Sequence, residues 1–149
     1  MDARRIGSKV ALSGGRGQGG FTLLEVMIVV VILGVLAGVA FANYERQVVK
    51  SRRKAAAVCL QERAQFMERF YTTNMTYVGA PAPAACDAGL VPFYTIRFDP
   101  GAAPAAKSYT LQAVPQGAQA SKDTACGTLS LTGQGVRGRT GSAPLNDCW

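Results

Sequence analysis

The 149 residues give room for one modest globular domain and no second. They contain no histidine, which excludes Ser/His/Asp and Cys/His nucleophile arrangements and nearly all mixed Cys/His metal sites. No paired carboxylates or activated nucleophile stand at a meaningful spacing, so neither enzyme chemistry nor a metal or cofactor is expected. The 16 basic and 9 acidic side chains sum to +7, a surplus that scattered surface charge explains as well as an anionic partner does.

Residues 1–20 are basic and glycine-rich, ending in Gly14-Gly15-Arg16-Gly17-Gln18-Gly19-Gly20. Such a run cannot pack a core, and no Gly-Lys-Ser/Thr follows to make a phosphate loop. Positive charge ahead of an apolar stretch holds that end in the cytoplasm and reads as a processing segment. Without residues 1–20 the chain carries 12 basic against 8 acidic side chains, about +4.

From Val26 to Ala42 no charged or strongly polar side chain occurs, and Phe21 to Tyr44 would span roughly 36 Å as helix, enough to cross a bilayer. Because the glycine junction precedes this block, the apolar helix is expected to stay with the mature chain. Glu25, four residues after Phe21, is costly near a membrane helix unless it finds a partner, although the helix dipole favours negative charge in the first turn.

Gly20-Phe21-Thr22-Leu23-Leu24-Glu25 followed by Val26-Met27-Ile28-Val29-Val30-Val31-Ile32-Leu33-Gly34 closely resembles the class III prepilin signature of type IV pilins and type II secretion pseudopilins. The resemblance implies that a prepilin peptidase cuts between Gly20 and Phe21 and N-methylates the Phe21 amine. It also implies that Glu25 pairs with that amine on a neighbouring subunit. In an apolar bundle such a pair is strong, and its loss leaves a buried charge. Ala42 stands where many family members carry a helix-kinking proline.

Beyond Tyr44 come Glu45-Arg46-Gln47 and the cationic window Lys50-Ser51-Arg52-Arg53-Lys54, a solvated helix face that could also meet lipid headgroups or neighbouring subunits. Ala56, Cys59, Leu60, Ala64, Phe66, Met67, Phe70 and Tyr71 then recur at three- and four-residue spacing, so residues 45–74 read as an amphipathic continuation of the membrane helix. Asn74 and Gly79 suit its exit.

After the Ala/Pro-rich turn from Gly79 to Ala85, strands are expected at 93–98, 108–114 and 127–131, with turns at Pro100-Gly101 and Gln116-Gly117. Three or four antiparallel strands packed on the helix make an α+β head over 75–149. Cys59, Cys86, Cys126 and Cys148 permit three pairings in an oxidising compartment, and no CxxC spacing suggests zinc or redox chemistry. Pairing Cys59 with Cys86 would tie the loop to the helix, and Cys126 with Cys148 would tie the tail to the last strands.

Ala64-Gln65-Phe66-Met67-Glu68-Arg69-Phe70-Tyr71-Thr72-Thr73-Asn74, Cys126-Gly127-Thr128-Leu129 to Gly135, and Cys148-Trp149 are similar to PilE-type minor pilins. The resemblance implies the type IV pilin fold and a structural subunit used in priming pilus assembly, with twitching motility and adhesion as outcomes. Its implied partners are other pilins through the N-terminal helix, prepilin peptidase, the inner-membrane assembly platform and membrane lipid. The implied location is a single pass through the bacterial inner membrane, head in the periplasm, and then the pilus fibre. Two alternatives are a type II secretion pseudopilin, disfavoured by the cysteine-rich head and the lack of an acidic calcium cluster, and a DNA-uptake pilin using its basic surplus and Tyr or Trp149 stacking on nucleic acid.

Overall fold

The computed structural model describes residues 20–149 in two compact units, one ending at Val39 and the other running from Ala40 to Trp149. Residues 1–19, which make up all but the last residue of the expected leader 1–20, lie outside the described residues.

Helix α1 runs without interruption from Leu23 to Asn74. Its first part is dense in β-branched valine and isoleucine, which disfavour helix in water. In a bilayer that ranking matters little, because a helix satisfies every backbone N–H and C=O within its own segment. The most apolar window has a mean hydropathy of 2.8 and none of it is buried in the protein. Among the described residues, α1 is the one helix long and apolar enough to cross a membrane.

At the end of α1 side chains bond back onto the preceding turn. Thr72 Oγ1 donates to Arg69 O at 2.7 Å, and Asn74 Nδ2 to Phe70 O at 3.0 Å. Met75, with φ 56°, takes the left-handed conformation and its N–H closes on Tyr71 O at 2.7 Å. This is the single-bond αL stop, here made by a residue with a Cβ, not by Gly79.

In the second unit, strands β1 (Tyr94–Phe98), β2 (Thr110–Pro115), β3 (Leu129–Thr132) and β4 (Arg137–Arg139) form an antiparallel meander in that order. Register aligns Ile96, Ala113, Leu129 and Arg139 in one row and Phe98, Leu111, Leu131 and Arg137 in the next. The apolar members of these rows join Ala56, Ala57, Cys59, Leu60 and Met67 of α1 in a single core. Residues one position off, such as Thr95 and Arg97, are exposed, as the period of two requires.

The rows end on arginines at β4, which places charge at a sheet edge and disfavours further strand addition there. Trp149 completes the cover: its Nε1 donates to Gly138 O at 3.1 Å and its ring lies 5.2 Å from the Arg137 guanidinium. The disulfide Cys126–Cys148 holds the tail on this edge, while Cys59–Cys86 ties α1 to the loop before β1.

Three features depart from the sequence reading. Gln116-Gly117 is not a simple turn: Gln116 is the N-cap of α2 (Gly117–Lys122). A further short helix, α3 (Leu145–Cys148), precedes the C-terminus. Phe66 is 43% exposed and outside the core, because its neighbour Met67 holds the inward position about 100° away around the helix.

Candidate functional site

At the start of α1, Thr22 is the capping residue: its Oγ1 accepts the Glu25 N–H at 3.2 Å, and its carbonyl accepts the Val26 N–H at 3.2 Å. Thr22-Leu23-Leu24-Glu25 has the capping-box spacing, a signal for this role that the residues themselves carried. Glu25 is exposed in the first turn, beside a shallow depression lined by Phe21, Val26, Val29 and Val30. Phe21 is 82% exposed and Gly20 is exposed ahead of the helix. The described residues thus leave the Gly20–Phe21 bond outside any helix, next to a row of apolar side chains with no cover.

In the head, polar groups concentrate where α1, β1 and α2 meet. Asp123, at the C-cap of α2, is 2% exposed and carries three contacts. It is ion-paired to Arg53 of α1, accepts Tyr94 Oη at 2.8 Å and accepts Gln119 Nε2 at 3.1 Å. Gln119 Nε2 also reaches Val49 O at 3.0 Å. Burial first, and then the hydrogen bond to Asp123, push the Tyr94 phenol well above its ordinary range. Lys122 and Glu45 add a second, exposed pair at 2.9 Å.

A second polar cluster anchors the far end of α1. Glu68 Oε1 accepts both Tyr77 Oη and Tyr109 Oη at 3.0 Å. The Tyr77 ring stands 4.7 Å from both Tyr71 and Tyr109, edge-on to the latter. Burial, then the bond to Glu68, raises the phenol pKa of Tyr77 and of Tyr109.

The cationic window is divided by the fold. Arg53 is consumed by Asp123, and Arg52 stacks over the Phe93 ring at 3.5 Å. Arg46, Lys50 and Lys54 stay exposed. The sequence marks the window as a solvated face that could also meet lipid headgroups or neighbouring subunits; it carries no signal for Asp123 and Gln119, whose partners lie 70 residues away. No cluster of ligands suited to a metal occurs among the described residues.

Residues 15–41 match the prokaryotic N-terminal methylation motif, and residues 42–130 match the family described as type IV minor pilin ComP, DNA uptake sequence receptor. Among solved structures, the chain is similar to a type IV pilin from Shewanella oneidensis, with 32% identity over 68% of this chain and 97% of that one and a TM-score of 0.49. It is also similar to the Neisseria meningitidis non-core minor pilin PilV, with 19% identity over 64% of this chain and 89% of that one and a TM-score of 0.51, a likeness of fold alone. With a methylation motif on its apolar helix and the minor-pilin match over more than half its length, the chain belongs to the type IV minor pilin family.

Proposed function

We propose that the chain is made as a precursor, cut between Gly20 and Phe21, N-methylated at Phe21, and polymerised into a type IV pilus through its N-terminal helix. Residues 1–20 are the leader, 21–44 the membrane-crossing half of the helix, 45–74 its amphipathic half and 75–149 the rest of the head. Prepilin peptidase and the inner-membrane assembly platform are the partners this route requires. The observation that carries the reading is the junction itself: an exposed Gly20–Phe21 step, a helix capped by Thr22, and in the first turn a Glu25 with no cationic partner among the described residues. Only the cut chain has a free amine at the height of a neighbour's Glu25, so cleavage gates assembly. Participation in priming, and hence in twitching motility and adhesion, follows from assembly.

Peptide mapping of the subunit taken from sheared pili tests this. An N-methylated Phe21 terminus is the expected result, and a terminus upstream of Gly20 in assembled fibres would overturn it.

A second reading, compatible with the first, is that the assembled head captures DNA. It is favoured by the family description, which names a DNA uptake sequence receptor, and by the basic surplus of the mature chain. Electrostatic binding of this kind weakens steeply with salt. Retention of the chain on duplex DNA that falls with salt, and exceeds that of a charge-matched control protein, supports it; parity with the control removes it.

A further inference from the structure

A recess of 540 Å³ opens beside the Arg53–Asp123 pair, bounded by Glu45, Arg46, Val49 and Lys50 of α1 and by Lys122 and Ala125. Its two acids are already engaged: Glu45 by Lys122, and Asp123 by Arg53 and Tyr94. Arg46 and Lys50 are exposed and have no carboxylate partner among the described residues. Arg46, Lys50 and Arg53 follow one another at i, i+4 and i+7, which puts them on one face of α1. The recess, with Arg46, Lys50, Arg53 and Lys122 against Glu45 and Asp123, therefore holds a surplus of positive charge.

The helix just before the recess indicates which anion it takes. Phe41 and Tyr44 are 67% and 68% exposed and close the apolar stretch. Arg46 and Lys50 follow Tyr44 by about 3 and 9 Å along the axis, at about 1.5 Å per residue. Aromatic rings followed at once by cations is the order found at a membrane interface, where rings sit among headgroups and cations reach the phosphates. Duplex DNA asks instead for a long cationic stripe, whereas Arg46, Lys50 and Arg53 cover only about 10 Å of α1.

We propose that the recess binds the phosphodiester of an anionic phospholipid headgroup in the outer leaflet of the inner membrane, seating the head on the lipid surface before the subunit is extracted. The proposal rests on the reading that residues 21–44 cross that membrane.

The test uses the full mature chain in detergent, with lipid adducts counted by native mass spectrometry against phosphatidylglycerol and phosphatidylcholine. The wild-type chain is expected to retain phosphatidylglycerol preferentially. Arg46→Gln and Lys50→Gln should each reduce that preference about fivefold, while Lys54→Gln, exposed on the same helix but outside the recess, should leave it unchanged. Equal retention of the two lipids, or a preference untouched in the Arg46→Gln/Lys50→Gln chain, overturns the proposal. So does an equally Arg46- and Lys50-dependent adduct with inorganic phosphate and no lipid preference, or displacement of the lipid by a duplex oligonucleotide with the same dependence. Carbonate extraction of membranes is read in parallel. A chain that stays in the membrane but shows no lipid preference defeats only the recess, whereas a chain that washes out defeats the membrane reading beneath it.

Discussion

The phenol of Tyr94 in β1 donates a 2.8 Å hydrogen bond to the carboxylate of Asp123 behind α2, inside a head where both residues are almost wholly buried. The same carboxylate neutralises Arg53 of α1, so one acid joins the sheet, the small helix and the long helix.

Removing that acid strands a cation. Asp123→Asn is expected to destabilise the head by about 3 kcal/mol, because Arg53 is left largely buried and unpaired. Tyr94→Phe, which removes a single neutral donor, should cost about 1 kcal/mol. Urea unfolding of the full chain in micelles, followed by the fluorescence of Trp149, the single tryptophan, measures both. Equal losses in the two variants would show that Asp123 acts only as a hydrogen-bond acceptor.

The disulfides close loops with sequence separations of 27 and 22. On the chain-entropy account each contributes about 3 kcal/mol. The Cys59→Ala/Cys86→Ala and Cys126→Ala/Cys148→Ala chains should both unfold at lower urea. The second should also free Trp149 from Gly138 and Arg137, which a shift in its emission at zero urea would report.

Alkaline pH should weaken the head. Tyr94, Tyr77 and Tyr109 all have phenol pKa values raised above the ordinary 10.0 by burial and a neighbouring carboxylate. The unfolded chain releases these protons near pH 10 while the folded chain keeps them, so stability is full below that pH and declines as pH rises beyond it. Tyr109→Phe should make the decline shallower between pH 10 and 11 in a urea midpoint series. An unchanged slope would remove Tyr109 from the account.

Met75 holds φ 56° at the stop of α1, where a Cβ is strained. Met75→Gly should relieve that strain and raise stability by about 1 kcal/mol, since its side chain is 71% exposed and contributes little packing. A fall in the urea midpoint would refute this.

Glu25→Gln should leave a chain that inserts in the membrane and is cut, yet enters fibres at least tenfold less often than the wild type, about 1.4 kcal/mol of lost pairing or more. Quantifying the subunit in sheared pili against the membrane pool checks it, and normal incorporation would count against the pairing role.

Some of this architecture was legible in the residues because it is written in local patterns. The apolar run through Ala42, the stripe at Ala56, Leu60 and Met67, and the alternation of Tyr109, Leu111 and Ala113 each express the period of one element. Other elements carry no period of their own. Helix α2 is too short to show one, and Gln116-Gly117 carries turn chemistry, which also serves a helix entrance. Strand β4, an Arg-Gly-Arg segment, lacks the apolar alternation that marks a strand and is held by pairing with β3 and by the tail.

The sequence by itself determined the membrane-length apolar helix, the methylation motif at its start, the presence of an α+β head and its four cysteines, because composition and short-range spacing decide them. The tertiary structure alone decided which cation of Arg52 and Arg53 is neutralised, which acid neutralises it, and that Arg46 and Lys50 have no carboxylate partner among the described residues. Those outcomes depend on residues about 70 positions apart meeting across the core, and long-range pairing of single polar side chains leaves no repeat in the chain from which to read it.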